Sequence, residues 1–371
     1  LAQAPLLTLK TAPGLLMLTM GRDLPLYTAA FNDVTDIDGD GVMDRYFKPG
    51  FKYEGYFAAD RCYSYGSGVF TPAAIGTKVI PDASDLSKNY YKCSTTPTVS
   101  TYWSGNFLNW VTMSRMDILR KVLYGGLRST DSSSSTILER SYIPQDSTIW
   151  GKQYTSTSVD GYDIREYAPL SQPSSGKRHL FANVTLLSGA SGNYTTTPNA
   201  PQLNLYKDTS NDLVALISTE RTILNGFTAS NTYTVRVKTC VALSGTYEDW
   251  CSSYPRNATT GLTYKPTGLL HKYGEASTSL AFGLLTGTYD NNYSGGVLRK
   301  NVDDFANEVT ASNGTYTSVK GIVYNLSKIR PWGFGSSADA ASWDCGFHWG
   351  STRRNGECPM WGNPLGEMMY E

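Results

Sequence analysis

The sequence has no apolar run long enough to cross a bilayer, which takes about 20 residues. The longest near its start is Leu15–Met20, ended by Gly21, Arg22 and Asp23. A run of that length fits a buried strand. There is no run of lysines and arginines that could neutralise a row of phosphates. Nucleic acid is therefore a poor partner, and a polybasic membrane-surface patch is missing too. Charge is scarce throughout: charged residues make up 17% of the chain, and 32 basic residues balance 32 acidic ones. Soluble domains carry about a quarter. Histidine is scarcer still, with His179, His271 and His348 alone. No Gly-x-Ser-x-Gly, His-Glu-x-x-His or P-loop occurs. The histidines read as packing or surface residues, and the acidic pairs have no context for acid/base work. The chain is not expected to be an enzyme.

Gly, Ser, Thr, Asn and Tyr fill the gap left by charge, a mixture that favours strands, turns and long ordered loops. A hydrophobic fraction of 40% over 371 residues supports a packed core in one large domain or two ordinary ones. The many aromatics read as core, although they could also build a sugar-binding surface. The opening Leu1-Ala2-Gln3 is compatible with a processed small-residue cleavage site.

Six cysteines, Cys62, Cys93, Cys240, Cys251, Cys345 and Cys358, fall into three sequence-local pairs. An even count in such a chain reads as disulfides formed in an oxidising compartment, so export is expected. Six cysteines allow fifteen connectivities; nearest-neighbour pairing is favoured here, each closure contributing roughly 3–4 kcal/mol in the loop-entropy model. Cys345, His348 and Cys358 also lie close enough for a zinc site. A closed structural site needs four ligands, and no fourth is near, so a disulfide beside a bystander histidine is preferred.

Along the chain, the apolar strand leads into an acidic loop and then into an aromatic stretch from Tyr46 to Tyr65. Residues 66–100 read as an irregular, disulfide-closed loop. The clearest helix is Asn106–Tyr124, with Ser104 as N-cap, near-helical spacing of Leu108, Val111, Ile118, Leu119, Val122 and Leu123, and Gly125-Gly126 as stop. Arg115, Arg120 and Lys121 should flank its apolar face. Thr136–Ile143, His179–Leu186, Leu213–Thr219 and Thr232–Val241 read as strands. The stretches 144–176 and 187–210 read as long polar loops. Helices are expected at Thr267–Tyr273 and Ile322–Ile329, a buried strand at Leu280–Leu285, and the start of a helix at Pro364–Glu371. No repeat of 20–50 residues is visible. The order implies an α/β sheet with helices against it and large insertions.

The sharpest local signal is Asp36-Ile37-Asp38-Gly39-Asp40-Gly41-Val42-Met43-Asp44. Calcium takes six to eight oxygens, and carboxylates at alternate positions converge when the chain curls. Asp36, Asp38 and Asp40 stand at positions 1, 3 and 5, and Gly41 permits the sharp turn. The Val42 carbonyl is the candidate ligand at position 7, and Asp44 at position 9 is the bidentate candidate. An EF-hand would have glutamate at position 12, where this chain has Phe47. The loop is thus a non-EF-hand Ca²⁺ site. Extracellular calcium modules bind at about 10⁻⁴–10⁻³ M, worth roughly 4–5.5 kcal/mol, which suits a structural clamp. Asp131-Ser132-Ser133-Ser134-Ser135 formally matches the Asp-x-Ser-x-Ser adhesion motif of von Willebrand A domains. It follows a helix rather than the first core strand, so it reads as a polar loop.

Several strings carry a family resemblance: Leu15 to Asp23, Tyr27 to Asp33, the calcium loop, Tyr53 to Phe57, Trp103 to Arg115, Leu119 to Gly126, Phe282 to Gly287, Gly295 to Asn301 and Met360 to Glu371. Together they resemble the PilC/PilY family of type IV pilus tip-associated proteins over nearly the whole chain. The resemblance implies an N-terminal von Willebrand A-like region followed by a C-terminal β-propeller. It also implies roles in surface adhesion and pilus assembly, with minor pilins or other tip subunits as partners. Many relatives carry Asp-x-Ser-x-Ser after the first strand; here Thr19–Pro25 keeps Asp23 and lacks the paired hydroxyls.

The expected fold is therefore an α/β, von Willebrand A-like sheet with flanking helices, a degenerate adhesion site and large Tyr/Ser/Thr-rich insertions. Residues 1–371 should form a single such region, with insertions at 36–44 and about 45–102 and without the propeller. The expected function is protein–protein docking at the pilus tip of an exporting bacterium, with host, abiotic or glycan surfaces as further candidate partners. The alternative is a structural surface or filament subunit held by calcium and disulfides.

Overall fold

The computed structural model describes residues 14–21, 24–32, 35–94, 98–143, 150–184, 200–213, 228–275, 280–287, 296–331 and 368–370. It is mixed α/β, mostly sheet with few helices. A three-stranded sheet joins the start of the chain to its last third. Leu15–Met20 runs parallel to Ala281–Gly287, with Leu15 opposite Ala281 and Met20 opposite Thr286. Gly296–Asp304 then pairs antiparallel on the other side of Ala281–Gly287. Among the described residues Leu15–Met20 is an edge strand, and this corrects the expectation of burial. Leu15, Leu16 and Met17 are exposed, and the strand packs against buried side chains through Leu18 and Met20.

A six-stranded sheet runs in the order Trp103–Ser104, Arg61–Gly66, Val69–Ile75, Arg236–Thr239, Ser135–Glu139, Arg128–Ser132. A four-stranded antiparallel sheet is formed by Asn231–Thr234, Gln202–Thr209, Arg178–Val184 and Trp150–Tyr154. Both sheets contribute to one aromatic core. Phe70, Trp103, Leu138 and Val237 come from the first; Tyr154, Phe181, Leu203 and Leu205 come from the second. The helix Gly105–Thr112 is buried along its whole length and adds Phe107, Leu108 and Val111. A second core gathers Tyr27, Tyr124, Leu270, Phe282, Leu284, Ile322 and Leu326 around the three-stranded sheet. Each large side chain buried this way contributes about 1.5–3 kcal/mol.

The long helix is two helices, Gly105–Thr112 and Arg115–Tyr124. Ser104 caps the first and Gly125, at φ 83°, ends the second, as the sequence implies. The break comes from Ser114. Its side chain and the Asp117 carboxylate form a capping box, which starts a new helix. The extended backbone at Met113 and Ser114 pairs with the segment around Ala29: Ala30 N–H donates to Met113 O (2.9 Å) and Arg115 N–H to Thr28 O (3.2 Å). Arg120, expected on a flank, is buried and donates to the Leu326 and Ile329 carbonyls.

The region 66–100 is not irregular throughout: Arg61–Gly66 and Val69–Ile75 form a hairpin, and Thr77–Val79 pairs with Tyr90–Lys92. Two other stretches read as loops also contain strands, Trp150–Tyr154 and Gln202–Thr209. Thr232–Val241 is two short strands, Asn231–Thr234 and Arg236–Thr239. Ser135–Glu139 and Arg178–Val184 stand where strands were expected. The expected helices appear as Leu269–Gly274 and Ile322–Ser327. Met368–Tyr370, read as helix, is a strand paired antiparallel to Ile329–Pro331. Of the strand expected at Leu213–Thr219, residues 214–219 lie outside the described residues. Among the described residues no helix is long and apolar enough to cross a membrane.

Candidate metal centre

The acidic loop is closed by its own backbone, since Asp44 N–H donates to Thr35 O at 3.0 Å. Gly39 (φ 79°) and Gly41 (φ 87°) hold the left-handed conformations that curl it. Asp36 turns inward. Its Oδ1 accepts from Gly39 N (2.7 Å) and Asp40 N (3.0 Å), and its Oδ2 from Gly41 N (2.7 Å). Asp44 is buried, and its Oδ2 accepts from Ile37 N (2.6 Å) and Asp38 N (3.3 Å). Carboxylate oxygens of Asp36, Asp38 and Asp40 lie within 4.8 Å of one another.

The carboxylates converge on a cation the sequence reading missed. Lys48 Nζ lies 2.7 Å from Asp38 Oδ2 and 2.9 Å from Asp40 Oδ2, and it also meets Asp44 Oδ1. The ammonium hydrogen bond holds the Asp40 carboxyl below the usual carboxylate range. Burial pushes Asp44 upward, but Lys48 and the two backbone donors outweigh it and leave that carboxyl lowered. Burial pushes Lys48 downward, and its three carboxylate partners outweigh that and raise it. Lys48 lies four residues past Asp44, one position beyond Phe47, and that spacing was the available signal. Phe47 anchors this end of the loop among Tyr53, Phe107, Trp110, Tyr162 and Tyr167.

The donor set suits a hard cation. Asp38, Asp40 and Asp44 already point oxygens at one positively charged point, and Asp36 retains lone pairs beside them. Val42 N–H donates to Asp40 Oδ1 at 2.8 Å, and the Val42 side chain is exposed. These residues would hold Ca²⁺, which would cross-link the loop and replace the ammonium of Lys48 as its counter-charge.

Other candidate positions resolve differently. Cys62–Cys93 and Cys240–Cys251 are disulfides, each with a Cα–Cα distance of 5.7 Å. Cys345, Cys358, His348 and Asp23 lie outside the described residues. Glu248 stands beside Cys240 and Cys251, but both sulfurs are in the disulfide, and the carboxylate faces Arg61 at 3.4 Å. The Asp131–Ser135 stretch, read as a polar loop, is the turn of the hairpin between Arg128–Ser132 and Ser135–Glu139. Asp131 there accepts from Arg128, Lys265 (2.8 Å) and Tyr316 N (2.9 Å), so its carboxylate is committed to packing the fold. His179 is held by Asp208 N–H, which donates to Nδ1 (3.1 Å), so Nε2–H donates to Ser171 O at 2.8 Å. That is a structural role.

Two family models match the chain. One is described as the PilY1 homolog small alpha/beta domain and covers residues 44–206; the other, the PilY1 homolog second domain, covers residues 282–371. A protein from Xylella fastidiosa (strain Temecula1 / ATCC 700964) named type IV pilus biogenesis factor PilY1 homolog is 40% identical over 96% of this chain. A second protein of that name from the same organism is 27% identical over 81% of the chain. The alignments span 24% and 22% of those proteins' own lengths, so the chain corresponds to about a quarter of each. No solved structure matches.

Proposed function

The chain belongs to the PilY1-homologue family, and from that premise we propose that it serves type IV pilus biogenesis and adhesion as an exported, non-enzymatic docking protein at the pilus tip. The family matches at 44–206 and 282–371 carry the reading. Minor pilins or other tip subunits are the proposed partners. Two disulfides among the described residues suit passage through an oxidising periplasm. Immunogold labelling of piliated cells tests the location. Label confined to pilus ends is expected; label along the shaft, or fibres formed by the purified chain alone, would favour a structural filament subunit.

The proposal includes a calcium ion held by Asp36, Asp38, Asp40, Asp44 and the Val42 carbonyl. Its support is the convergence of Asp38, Asp40 and Asp44 on one cationic point. The ion would fix the loop ahead of Phe47 and so stiffen the entry to the aromatic core. Calorimetry with Ca²⁺ should show binding, and chelator should lower the melting temperature. Identical melting in calcium and chelator, with no heat of binding, would remove the ion from the reading.

The finer fold reading is a single von Willebrand A-like region with insertions and a degenerate adhesion site at Thr19–Pro25. It is supported by the parallel pair Leu15–Met20 and Ala281–Gly287, against which Leu270, Ile322 and Leu326 pack. An experimental structure in which the parallel sheet does not extend beyond that pair would count against it.

A further inference from the structure

Glu248 lies inside the loop closed by Cys240–Cys251 and is 5% exposed. Its Oε2 lies 3.6 Å from Cys251 Sγ, and one carboxylate oxygen and both sulfurs fall within 4.8 Å of one another. Its Oε1 is buried and makes no hydrogen bond among the described residues. A sulfur in a disulfide carries no hydrogen, so the contact between Oε2 and Cys251 Sγ holds no hydrogen bond while the bridge is closed. Opening the bridge gives Cys251 an S–H, and the same contact becomes a donor and an acceptor. Two charged groups face the carboxyl. Burial raises it above the ordinary glutamate value, Arg61 opposes that rise without cancelling it, and Asp60 adds to it.

The two described bridges differ in access. Cys62 is 2% exposed, on a strand paired on both sides. Cys240 and Cys251 are both part-exposed. The halves of the second bridge differ as well. Cys251 N–H donates to Glu248 O (3.0 Å), and Cys251 starts a strand paired with Thr263–Pro266. It therefore stays beside the carboxylate when the bridge opens. Cys240 sits at φ 56°, a left-handed conformation that residues with a Cβ rarely hold, and opening the bridge frees it to leave. The rest of the loop has an anchor of its own, since Arg61 donates to Val241 O (2.6 Å) and Thr246 O (2.9 Å).

We propose that Cys240–Cys251 is a thiol–disulfide exchange site, with a protein dithiol as its partner and Glu248 as its proton carrier. A partner thiolate attacks Cys240 Sγ. The new S–S bond forms there, the bond to Cys251 breaks, and its electron pair leaves on Cys251 Sγ, which takes the proton of the neutral Glu248 carboxyl. Solvent reprotonates Glu248. The partner's second thiolate then attacks its own sulfur in the mixed disulfide. Cys240 leaves as a thiolate and is protonated by water, and the partner departs as a disulfide, having supplied both electrons. Closure runs in reverse, with the Glu248 carboxylate taking the Cys251 proton. Neither the pilus assignment nor the calcium loop enters this proposal.

The test is reduction of the full chain by dithiothreitol, quenched with N-ethylmaleimide and read by peptide mass spectrometry. Cys240 and Cys251 should be labelled at least about tenfold faster than Cys62 and Cys93, while the circular dichroism stays native. Divided by the concentration of dithiothreitol thiolate, the opening rate in the parent should rise about fivefold as pH falls from about 8 to about 6, because the neutral carboxyl becomes more abundant. In Glu248→Gln it should stay level. With glutathione as the thiol, the trapped adduct is expected on Cys240. The proposal is overturned if Cys240–Cys251 opens no faster than Cys62–Cys93, or opens only as the native circular dichroism is lost. A level profile in the parent overturns it whether or not the variant folds, and so does a folded Glu248→Gln whose profile rises like the parent's.

Discussion

At the scale of single residues, Lys48 does in this structure what a bound cation would do: it holds Asp38, Asp40 and Asp44 together. Lys48→Met removes that ammonium. In chelator the variant should lose about 1–2 kcal/mol, because a carboxylate as buried as Asp44 loses its counter-charge while the exposed partners lose little. Calcium should restore the loss and half-saturate at a lower concentration than in the parent, since no tethered ammonium competes. Melting curves in calcium and chelator, with calorimetry, check both; a variant with equal melting in the two buffers would sink the idea. His271 is the second residue with a measurable signature. Burial, with Arg128 and Arg256 nearby, depresses its folded pKa well below the ordinary 6.5. The unfolded chain therefore binds a proton that the folded chain refuses. Stability from this group is intact above about pH 6.5 and falls as pH drops below it, by about 1.4 kcal/mol per pH unit until the folded pKa is reached. Burial lowers the His179 pKa as well, so it adds to the same slope. His271→Gln should flatten the slope of urea-melt stability between pH 7.5 and 5, and an unchanged slope would contradict the assignment.

At the scale of elements, the break between Gly105–Thr112 and Arg115–Tyr124 shows where pattern reading stops. Hydrophobic spacing continues through Met113 and Ser114, so periodicity alone reads one helix. The deciding group is Asp117. It accepts from Ser114 N (3.0 Å) and Ser114 Oγ (2.6 Å) on one oxygen, and from Ser141 N (2.7 Å) and Ser141 Oγ (2.8 Å) on the other. Ser114→Ala should cost about 1 kcal/mol as a lost cap. Asp117→Ala should cost about 3 kcal/mol, because it strands two buried N–H groups at once. Chemical denaturation of both variants gives the ratio; equal losses would mean that the Ser141 contacts contribute nothing. The strand Gln202–Thr209 escaped for a related reason. Leu203 and Leu205 alternate as a strand should, but Asn204 between them is also buried, bonded to Thr232 Oγ1 at 2.9 Å. A polar residue satisfied across the sheet looks like loop in the sequence.

At the scale of the whole molecule, the disulfides and the two cores set stability. Cys240–Cys251 closes 11 residues and Cys62–Cys93 closes 31. In the loop-entropy model these are worth about 3 and about 4 kcal/mol. The double substitution Cys240→Ser with Cys251→Ser should therefore lower unfolding stability by about 3 kcal/mol in denaturant melts, and a loss below about 1 kcal/mol would show that the reduced loop stays ordered without the bridge. The aromatic core joins side chains from two sheets and one buried helix, so damage at any of the three should propagate to the acidic loop through Phe47.

What depends on neighbours along the chain was legible before any fold was known. The acidic spacing of 36–44, the glycines that curl it and the caps at Ser104 and Gly125 are of this kind, because each is set by residues within a few turns; for the cysteines the sequence allowed fifteen pairings and favoured the nearest-neighbour ones that Cys62–Cys93 and Cys240–Cys251 adopt. It also carried the family resemblance. Tertiary structure alone decided what depends on long-range partners. It placed Leu15–Met20 at a sheet edge against Ala281–Gly287. It brought Lys48 into the centre of the carboxylates. Burial and hydrogen-bond satisfaction are properties of assembled surfaces, and no local pattern states them.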